Sequence, residues 1–126
     1  MEEGPHHNRV LGVEGEGLAV AFLERLGYRI VERNFRFRGG EVDIIARDRQ
    51  MLVFVEVKTR RTANYGPPQL AVTPFKQRQL SKAALAWLAK NRSLDKAARF
   101  DVIAITFDHA GSSRVEHFVN AFELAY

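Results

Sequence analysis

Apolar residues recur at helical spacing in two segments of the chain. The first apolar stripe consists of Leu18, Ala19, Phe22, Leu23 and Leu26. Gly27 is a natural C-terminal stop for this helix, which is predicted to begin near Gly12 or Val13. Thr73 and Pro74 offer an N-cap and a first-turn proline to a second helix. The stripe of the second helix consists of Leu80, Ala84, Trp87 and Leu88.

The other apolar segments are predicted to be β-strands, because they alternate apolar and polar residues or are continuously apolar. They cover residues 28–37, the residues around Asp43, and residues 52–58, 100–107 and 115–121. Gly39-Gly40 and Gly111-Ser112-Ser113 are predicted turns, and residues 60–72 a loop. The order is therefore α-β-β-β-α-β-β. We expect a single domain over residues 11–126, after a disordered tail over residues 1–10.

Composition excludes several classes of protein. The chain has 126 residues, of which 46% are apolar, enough for one domain with a hydrophobic core. It has no cysteine, so a disulfide scaffold and a thiolate zinc site are excluded. No apolar run approaches the length of a membrane span, and the N-terminal residues lack a signal-peptide pattern. We expect a cytoplasmic protein without membrane contact.

The net charge of +4 is unevenly distributed along the chain. One stretch contains Arg25, Arg29, Arg33, Arg36, Arg38, Arg47, Arg49, Lys58, Arg60 and Arg61. Because arginine pairs well with phosphate, this stretch favours a surface for a polyanion such as nucleic acid. An ordinary solvated face is the alternative, and the charge pattern leaves both open.

Asp43, Glu56 and Lys58 are the candidate functional residues of the second and third strands. Residues two apart on a strand share a face, so Glu56 and Lys58 point the same way. If the chain turns at Arg49 and Gln50, the register places Asp43 opposite Glu56. Opposed side chains have Cβ atoms roughly 5 Å apart. Two carboxylates that close repel each other unless a cation or a proton lies between them.

The same alternation assigns the neighbouring apolar residues to faces. Val42, Ile44 and Ala46 are predicted to share one face of the second strand, opposite to the face of Asp43. On the third strand, residues 53, 55 and 57 are all valine and form an apolar face. Phe54 partly buries the other face, where Glu56 lies, and a charge on a half-buried face needs a partner.

These residues suit metal-assisted hydrolysis of a phosphodiester, which needs a cation at the phosphate and an activated water. Mg²⁺ keeps several waters, so two protein carboxylates suffice, and Asp43 and Glu56 would supply them. The backbone carbonyl of Val57 could add a third oxygen, and Lys58 would orient the attacking water. The alternative is an Asp43–Lys58 or Glu56–Lys58 ion pair on a solvated face, worth under about 1 kcal/mol.

The order of a helical glutamate, an aspartate and a Glu-x-Lys pair resembles the PD-(D/E)xK nuclease superfamily. Over nearly its whole length, the chain more closely resembles the YraN family of small bacterial proteins. The residues that carry the resemblance are Gly15-Glu16, Ala19, Gly27-Tyr28, Asn34, Gly40-Glu41-Val42-Asp43, Val53-Phe54-Val55-Glu56-Val57-Lys58, Arg60, Tyr65-Gly66, Lys76 and Arg99-Phe100-Asp101-Val102. The resemblance implies a three-layer, restriction-endonuclease-like α/β fold, with helices flanking a central mixed five-stranded sheet.

The resemblance also implies roles for individual residues. Asp43, Glu56 and Lys58 match the nuclease triad, and Glu16 matches the acidic residue on the first helix of archaeal Holliday-junction resolvases. Glu16 would bind a second metal ion or hold a water beside the metal. Val42 stands where the superfamily label has proline, a departure that is frequent in the superfamily. Because the resolvases act as two-fold dimers, a homodimer through residues 99–121 is expected.

Other polar residues are candidates for auxiliary roles. Glu41 shares a strand face with Asp43 and could be an auxiliary ligand or pair with Lys58. Lys76 and Arg78 lie in the first turns of the second helix, where a bound phosphate is favoured. Ordinary solvation is the plainer interpretation of these two cations.

Three residues near the predicted loop could contact nucleic acid. Arg60 belongs to the basic stretch, and Gln69 could touch the scissile phosphate or a water. Tyr65 could stack on a base, although packing within the loop is the plainer interpretation.

The expected function is that of a Mg²⁺- or Mn²⁺-dependent endonuclease acting on DNA, with branched or junction DNA as one substrate class. A non-catalytic nucleic-acid-binding or partner-docking module on the same fold is the first alternative. An RNA-processing nuclease is the second, because it would use the same site and phosphate contacts carry no sequence information.

Overall fold

In a computed structural model of the chain, residues 5–61 and 72–124 are described. The elements are α1 (Pro5–Arg25), β1 (Arg29–Phe37), β2 (Gly40–Asp48), β3 (Met51–Arg60), α2 (Pro74–Lys90), β4 (Ala98–Phe107) and β5 (Ser113–Phe122). This is the predicted order. α1 begins about two turns earlier than predicted, so residues 5–10 of the predicted tail are helical. Residues 1–4 of that tail lie outside the described part.

The five strands form one mixed sheet in the order β1-β2-β3-β4-β5. All neighbouring strands are antiparallel except β3 and β4, which are parallel. A parallel pair needs a crossover, and α2 lies in the connection between β3 and β4. The sheet with a helix on each face confirms the restriction-endonuclease-like α/β fold. Among the described residues, neither α1 nor α2 has an apolar stretch of the length that a membrane-spanning helix requires.

Two hydrophobic cores, one on each face of the sheet, hold the helices in place. The core on the α1 face includes Ala19, Leu23, Ile44, Ala46, Val53, Val55, Ile103 and Ile105. The core on the α2 face includes Val42, Ile45, Phe54, Leu80, Ala84, Trp87 and Phe100. The central strand β3 serves both cores because its successive side chains point to opposite faces.

The β2–β3 hairpin has the predicted register. Asp48 pairs with Met51 across the turn, and the ladder continues to the pair Ile44–Val55. The ladder ends there, one position before Asp43 and Glu56, so these two residues do not form a ladder pair. The two strands therefore separate at the candidate site.

The prediction that Val42 and Ile44 share a face is wrong. Val42 packs in the core on the α2 face, whereas Ile44 packs on the α1 face. Alternation is interrupted at Asp43, the residue between them. On β1, Asn34 lies at the corresponding position and has a left-handed backbone with φ of 57°. Asparagine tolerates this conformation better than most residues, which permits the change of face.

The start of α2 follows the sequence prediction. Thr73 is the N-cap, and its Oγ1 accepts a hydrogen bond from Lys76 N at 3.2 Å. Pro74 is the first helical residue. This cap fixes the first residue of α2 and thereby places Lys76 in the first turn of the helix.

Asp101 organises the pairing of β4 with β5. It is fully buried, and its carboxylate accepts hydrogen bonds from Arg99 Nε at 3.0 Å and Asn120 N at 2.9 Å. His117 Nε2 lies 2.7 Å from the other oxygen. Burial acts to raise the pKa of Asp101, but hydrogen bonds from His117 and Arg99 outweigh it and lower the pKa. The network holds an irregularity in the ladder, where Asn120 has φ of 53°.

Gly15 allows α1 to approach β3 closely. A Cβ at Gly15 would collide with the side chain of Thr59, whereas a Cβ at Gly12 or Gly17 would meet no atom within 4 Å. Ala19, one turn further along α1, is fully buried. The contact at Gly15 therefore sets the height of α1 above the sheet, and with it the position of the next residue, Glu16.

Replacing Gly15 by alanine should force α1 away from β3. We expect Gly15→Ala to lower the free energy of unfolding by about 1–3 kcal/mol, as overpacking generally does. Gly17→Ala is the matched control and should raise it by about 0.5–1 kcal/mol, because alanine favours the helix. Urea denaturation of both variants measures the difference. Equal stability of the two variants would contradict the close contact.

Candidate active site

The candidate site lies where β2 and β3 separate. Asp43 Oδ2 accepts a hydrogen bond from Val57 N at 2.8 Å, which takes the place of a further ladder bond between the strands. In an extended strand, the N–H and C=O of one residue point to the same side. The carbonyl of Val57 therefore also points toward β2, on the side where the Asp43 carboxylate lies.

Glu56 is the most deeply buried carboxylate of the site. Only 6% of its side chain is exposed, and its Oε1 lies 3.6 Å from both Lys58 Nζ and Lys76 Nζ. Its other oxygen, Oε2, is buried and has no hydrogen-bond partner within the described residues. A buried acceptor left unsatisfied costs about 1–3 kcal/mol, more for a charged group. The Glu56–Lys58 ion pair exists, but it is not on a solvated face.

Both carboxylates have raised pKa values, and the charge of Glu56 contributes to the shift at Asp43. The pKa of Asp43 is raised from 3.8 to about 7, first by burial and then by the charge of Glu56, while the Val57 N–H acts to lower it. Burial also raises the pKa of Glu56, against the lowering effect of Lys76 and Lys58. In both groups, burial disfavours the charged form more than the neighbouring hydrogen-bond donors and cations favour it. A cation placed between the two groups would relieve both effects.

Glu16 on α1 lies beside Asp43. Both line a cavity of about 260 Å³, together with Leu11, Gly12, Val57 and Thr59. Arg33 Nη2 lies 3.5 Å from Glu16 Oε1. The structure therefore brings together Glu16, Asp43 and the backbone of Val57. Glu56 and Lys58 do not line this cavity.

Glu41 pairs differently from the prediction. Its Oε1 lies 3.6 Å from Arg36 Nε, so Arg36 rather than Lys58 is its ion-pair partner. The two face each other across the β1–β2 ladder, where they form a register pair. Glu41 also lines a second cavity of about 480 Å³, which it shares with Glu16 and Asp43.

Arg33 and Asn34 take part in the site, although the sequence predicted only a place in the basic stretch for Arg33 and no role for Asn34. With its amide oriented to donate, Asn34 Nδ2 lies 3.1 Å from Glu41 Oε1 and 3.2 Å from Glu16 Oε1. It thereby links the helix-borne and strand-borne carboxylates. The sequence feature that could have indicated a role for Asn34 is its place in the middle of a predicted strand, where asparagine is depleted.

The residues present fit a divalent ion with oxygen ligands. Within residues 5–61 and 72–124, no group of three acidic or histidine side chains is arranged to hold a metal ion by itself. Mg²⁺ does not require such a group, because it retains several waters. The buried, unsatisfied Oε2 of Glu56, the Asp43 carboxylate and the Val57 carbonyl are hard oxygen donors of the kind it prefers.

The residues predicted to contact nucleic acid differ in their positions relative to the candidate site. Lys76 forms an ion pair with Glu56 and therefore belongs to the candidate site. Arg60, at the end of β3, donates from Nε to Thr106 Oγ1 at 3.4 Å, and Arg78 is exposed on α2. Tyr65 and Gln69 lie outside the described residues.

Comparison with known proteins identifies relatives of the whole chain. The uncharacterised protein family UPF0102 matches residues 15–105. A UPF0102 protein of Geobacter sulfurreducens is 72% identical over 124 residues, covering 98% of this chain and 97% of the relative. A UPF0102 protein of Geobacter metallireducens is 67% identical, covering 95% of this chain and 98% of the relative. A UPF0102 protein of Anaeromyxobacter dehalogenans is 48% identical, covering 91% of this chain and 85% of the relative. The expected YraN resemblance is confirmed, and the chain belongs to the UPF0102 (YraN) family.

Proposed function

We propose that this protein is a metal-dependent endonuclease that hydrolyses phosphodiester bonds in DNA, with branched DNA among its substrates. The observation that carries the proposal is the buried Glu56 carboxylate and the half-buried Asp43 carboxylate on two separating strands, with Glu56 Oε2 unsatisfied and Lys58 beside it. Perturbed, buried ionisable groups of this kind occur preferentially at functional sites.

Each residue of the site has a distinct task in this mechanism. Asp43, Glu56 and the Val57 carbonyl would hold Mg²⁺ or Mn²⁺, and the Val57 N–H fixes the Asp43 carboxylate. The ion would polarise the phosphodiester and acidify the attacking water. The Lys58 ammonium would orient that water or stabilise the charge that develops on the phosphate. Glu16 would accept a hydrogen bond from the water within the cavity that it shares with Asp43.

A polyanionic substrate is supported by the charge distribution around the site. The net charge is +4, although four carboxylates are gathered at the site itself. Arg33 and Arg36, which pair with two of those carboxylates, lie on β1 beside the second cavity. Nucleic acid following this edge would meet arginine side chains suited to phosphate.

A second candidate is a nucleic-acid-binding module that does not cut. The favouring observation is that Lys58 and Lys76 both lie 3.6 Å from Oε1 of Glu56, so the protein itself supplies cations to this carboxylate. Such a module need not bind Mg²⁺ or Mn²⁺. Metal binding therefore discriminates between the two candidates independently of cleavage.

We expect the purified protein to cut DNA only when Mg²⁺ or Mn²⁺ is present. Asp43→Asn and Lys58→Ala should each lower the rate by at least about 100-fold, because each removes a group acting on the reacting atoms. Labelled junction, flap, duplex and single-stranded DNA, together with RNA, form the substrate panel. Asp95→Asn and Lys82→Ala are the controls, since both residues are exposed and outside the site. Cleavage that survives in Asp43→Asn would identify a contaminating nuclease and defeat the proposal.

Stability should depend on pH through Asp43. Because folding raises its pKa from 3.8 to about 7, the folded protein holds this proton more tightly than the unfolded chain. The free energy of unfolding should therefore fall as pH rises from about 4 to about 7. Asp43→Asn removes this half-buried charge and should be more stable than wild type by about 1–4 kcal/mol at pH 8. Urea denaturation of both proteins at pH 4.5 and pH 8 measures this. If the stability difference between Asp43→Asn and wild type is the same at both pH values, the prediction is refuted.

Mn²⁺ should stabilise the wild-type protein. At about ten times its dissociation constant, we expect the melting temperature to rise by about 3–6 °C. The rise should be absent in Asp43→Asn and retained in Asp95→Asn, because only the former removes a proposed ligand. Differential scanning calorimetry provides the measurement. The same response to Mn²⁺ in all three proteins would support the non-catalytic module.

A further inference from the structure

Two ammonium groups lie at the same oxygen of Glu56. Lys58 reaches it from β3 and Lys76 from the first turn of α2, each at 3.6 Å from Oε1. The other oxygen, Oε2, has no hydrogen-bond partner in the described part of the chain. One carboxylate thus has two cations on one side and an unsatisfied acceptor on the other.

A divalent ion at Glu56 would change the balance of charge around this carboxylate. A single carboxylate carries one negative charge, so two ammoniums already exceed it. A divalent ion at Oε2 would add a third cation within a few ångströms, and like charges at such distances repel strongly in a partly buried site. One of the two ammoniums is then no longer needed at Glu56.

Lys76 is the ammonium that is placed to leave. Lys58 is two residues from Glu56 on the same strand, so the backbone of β3 fixes its direction, and 30% of its side chain is exposed. Lys76 stands on the other side of the carboxylate, with 42% of its side chain exposed. It can turn toward solvent without any movement of the strand.

The start of α2 favours an anion near Lys76. The helix has 17 residues and no acidic residue in its first turn. The partial positive charge of a helix N-terminus disfavours a lysine unless an anion lies nearby. In the free protein, Glu56 supplies that anion. A phosphate group at this helix end would supply it equally well.

We propose that Lys76 is a mobile substrate ligand, which neutralises Glu56 in the free protein and moves to the nucleic-acid backbone when the metal ion binds. The proposal rests on the proposed function in taking the ion and the nucleic acid as ligands. It assigns to a residue outside the Asp-Glu-Lys triad a contact with the substrate. Lys76 thereby couples occupation of Glu56 by the ion to binding of a phosphate.

The first test measures Mn²⁺ binding in the absence of nucleic acid by calorimetric titration. Lys76→Gln removes the competing ammonium, so Mn²⁺ should bind about three- to tenfold more tightly than to wild type, the effect of about one ion pair. Lys82→Gln, an exposed lysine on the same helix, is the control and should leave the affinity unchanged. Lys76→Arg should behave like wild type.

The second test is binding of junction and duplex DNA in the presence of Ca²⁺, measured by fluorescence anisotropy at several salt concentrations. Lys76→Gln should weaken binding and reduce the slope of log K against log salt by about 0.9, the loss of one phosphate contact. Lys82→Gln should leave the slope at the wild-type value.

The outcomes separate this proposal from the proposed function. Tighter Mn²⁺ binding together with a smaller salt slope supports the role of Lys76, whether or not the wild-type protein cuts DNA. Wild-type values for both quantities in Lys76→Gln would overturn it, even if cleavage is demonstrated. A change in Mn²⁺ affinity without a change in slope would also overturn it, because Lys76 would then be only a structural partner of Glu56.

Discussion

The hydrogen bond from Val57 N to Asp43 Oδ2 joins β2 and β3 at the point where their backbones stop pairing. A buried backbone N–H without a partner is costly, and here a side chain rather than a backbone carbonyl satisfies it. The strands can therefore separate without leaving that group unsatisfied. The bond also fixes the carboxylate in the opening. The cavity that Asp43 and Val57 line together with Glu16 depends on it.

The separation of the strands is compatible with two full cores because the side chains change face at the same point. Val42 contributes to the core under α2 and Ile44 to the core under α1, with Asp43 between them. On the neighbouring strand, the left-handed backbone of Asn34 makes the matching adjustment. Its side chain then reaches the carboxylates of Glu16 and Glu41. One irregularity thus shapes the backbone and supplies a polar group to the site.

Local rules predict the fold and part of the site. The hairpin register follows from a two-residue turn, and the start of α2 follows from Thr73-Pro74. A strict two-residue period cannot predict the change of face at Asp43, because the left-handed Asn34 is a tertiary feature of two strands. The pairing of Lys76 with Glu56 depends on how the crossover helix docks. Local spacing carries no information about that distance.

The burial of Glu56 argues against a purely structural role for this group. An ion pair that served only the stability of the sheet could remain exposed, where desolvation is small, or be replaced by apolar residues. Phe54, on the same strand face, shows that this face accepts an apolar side chain. Glu56 instead retains an unsatisfied buried oxygen and helps to raise the pKa of Asp43 to about 7. Stability given up at one point of an otherwise well-packed sheet is expected where the missing partner is a ligand rather than a residue of the chain.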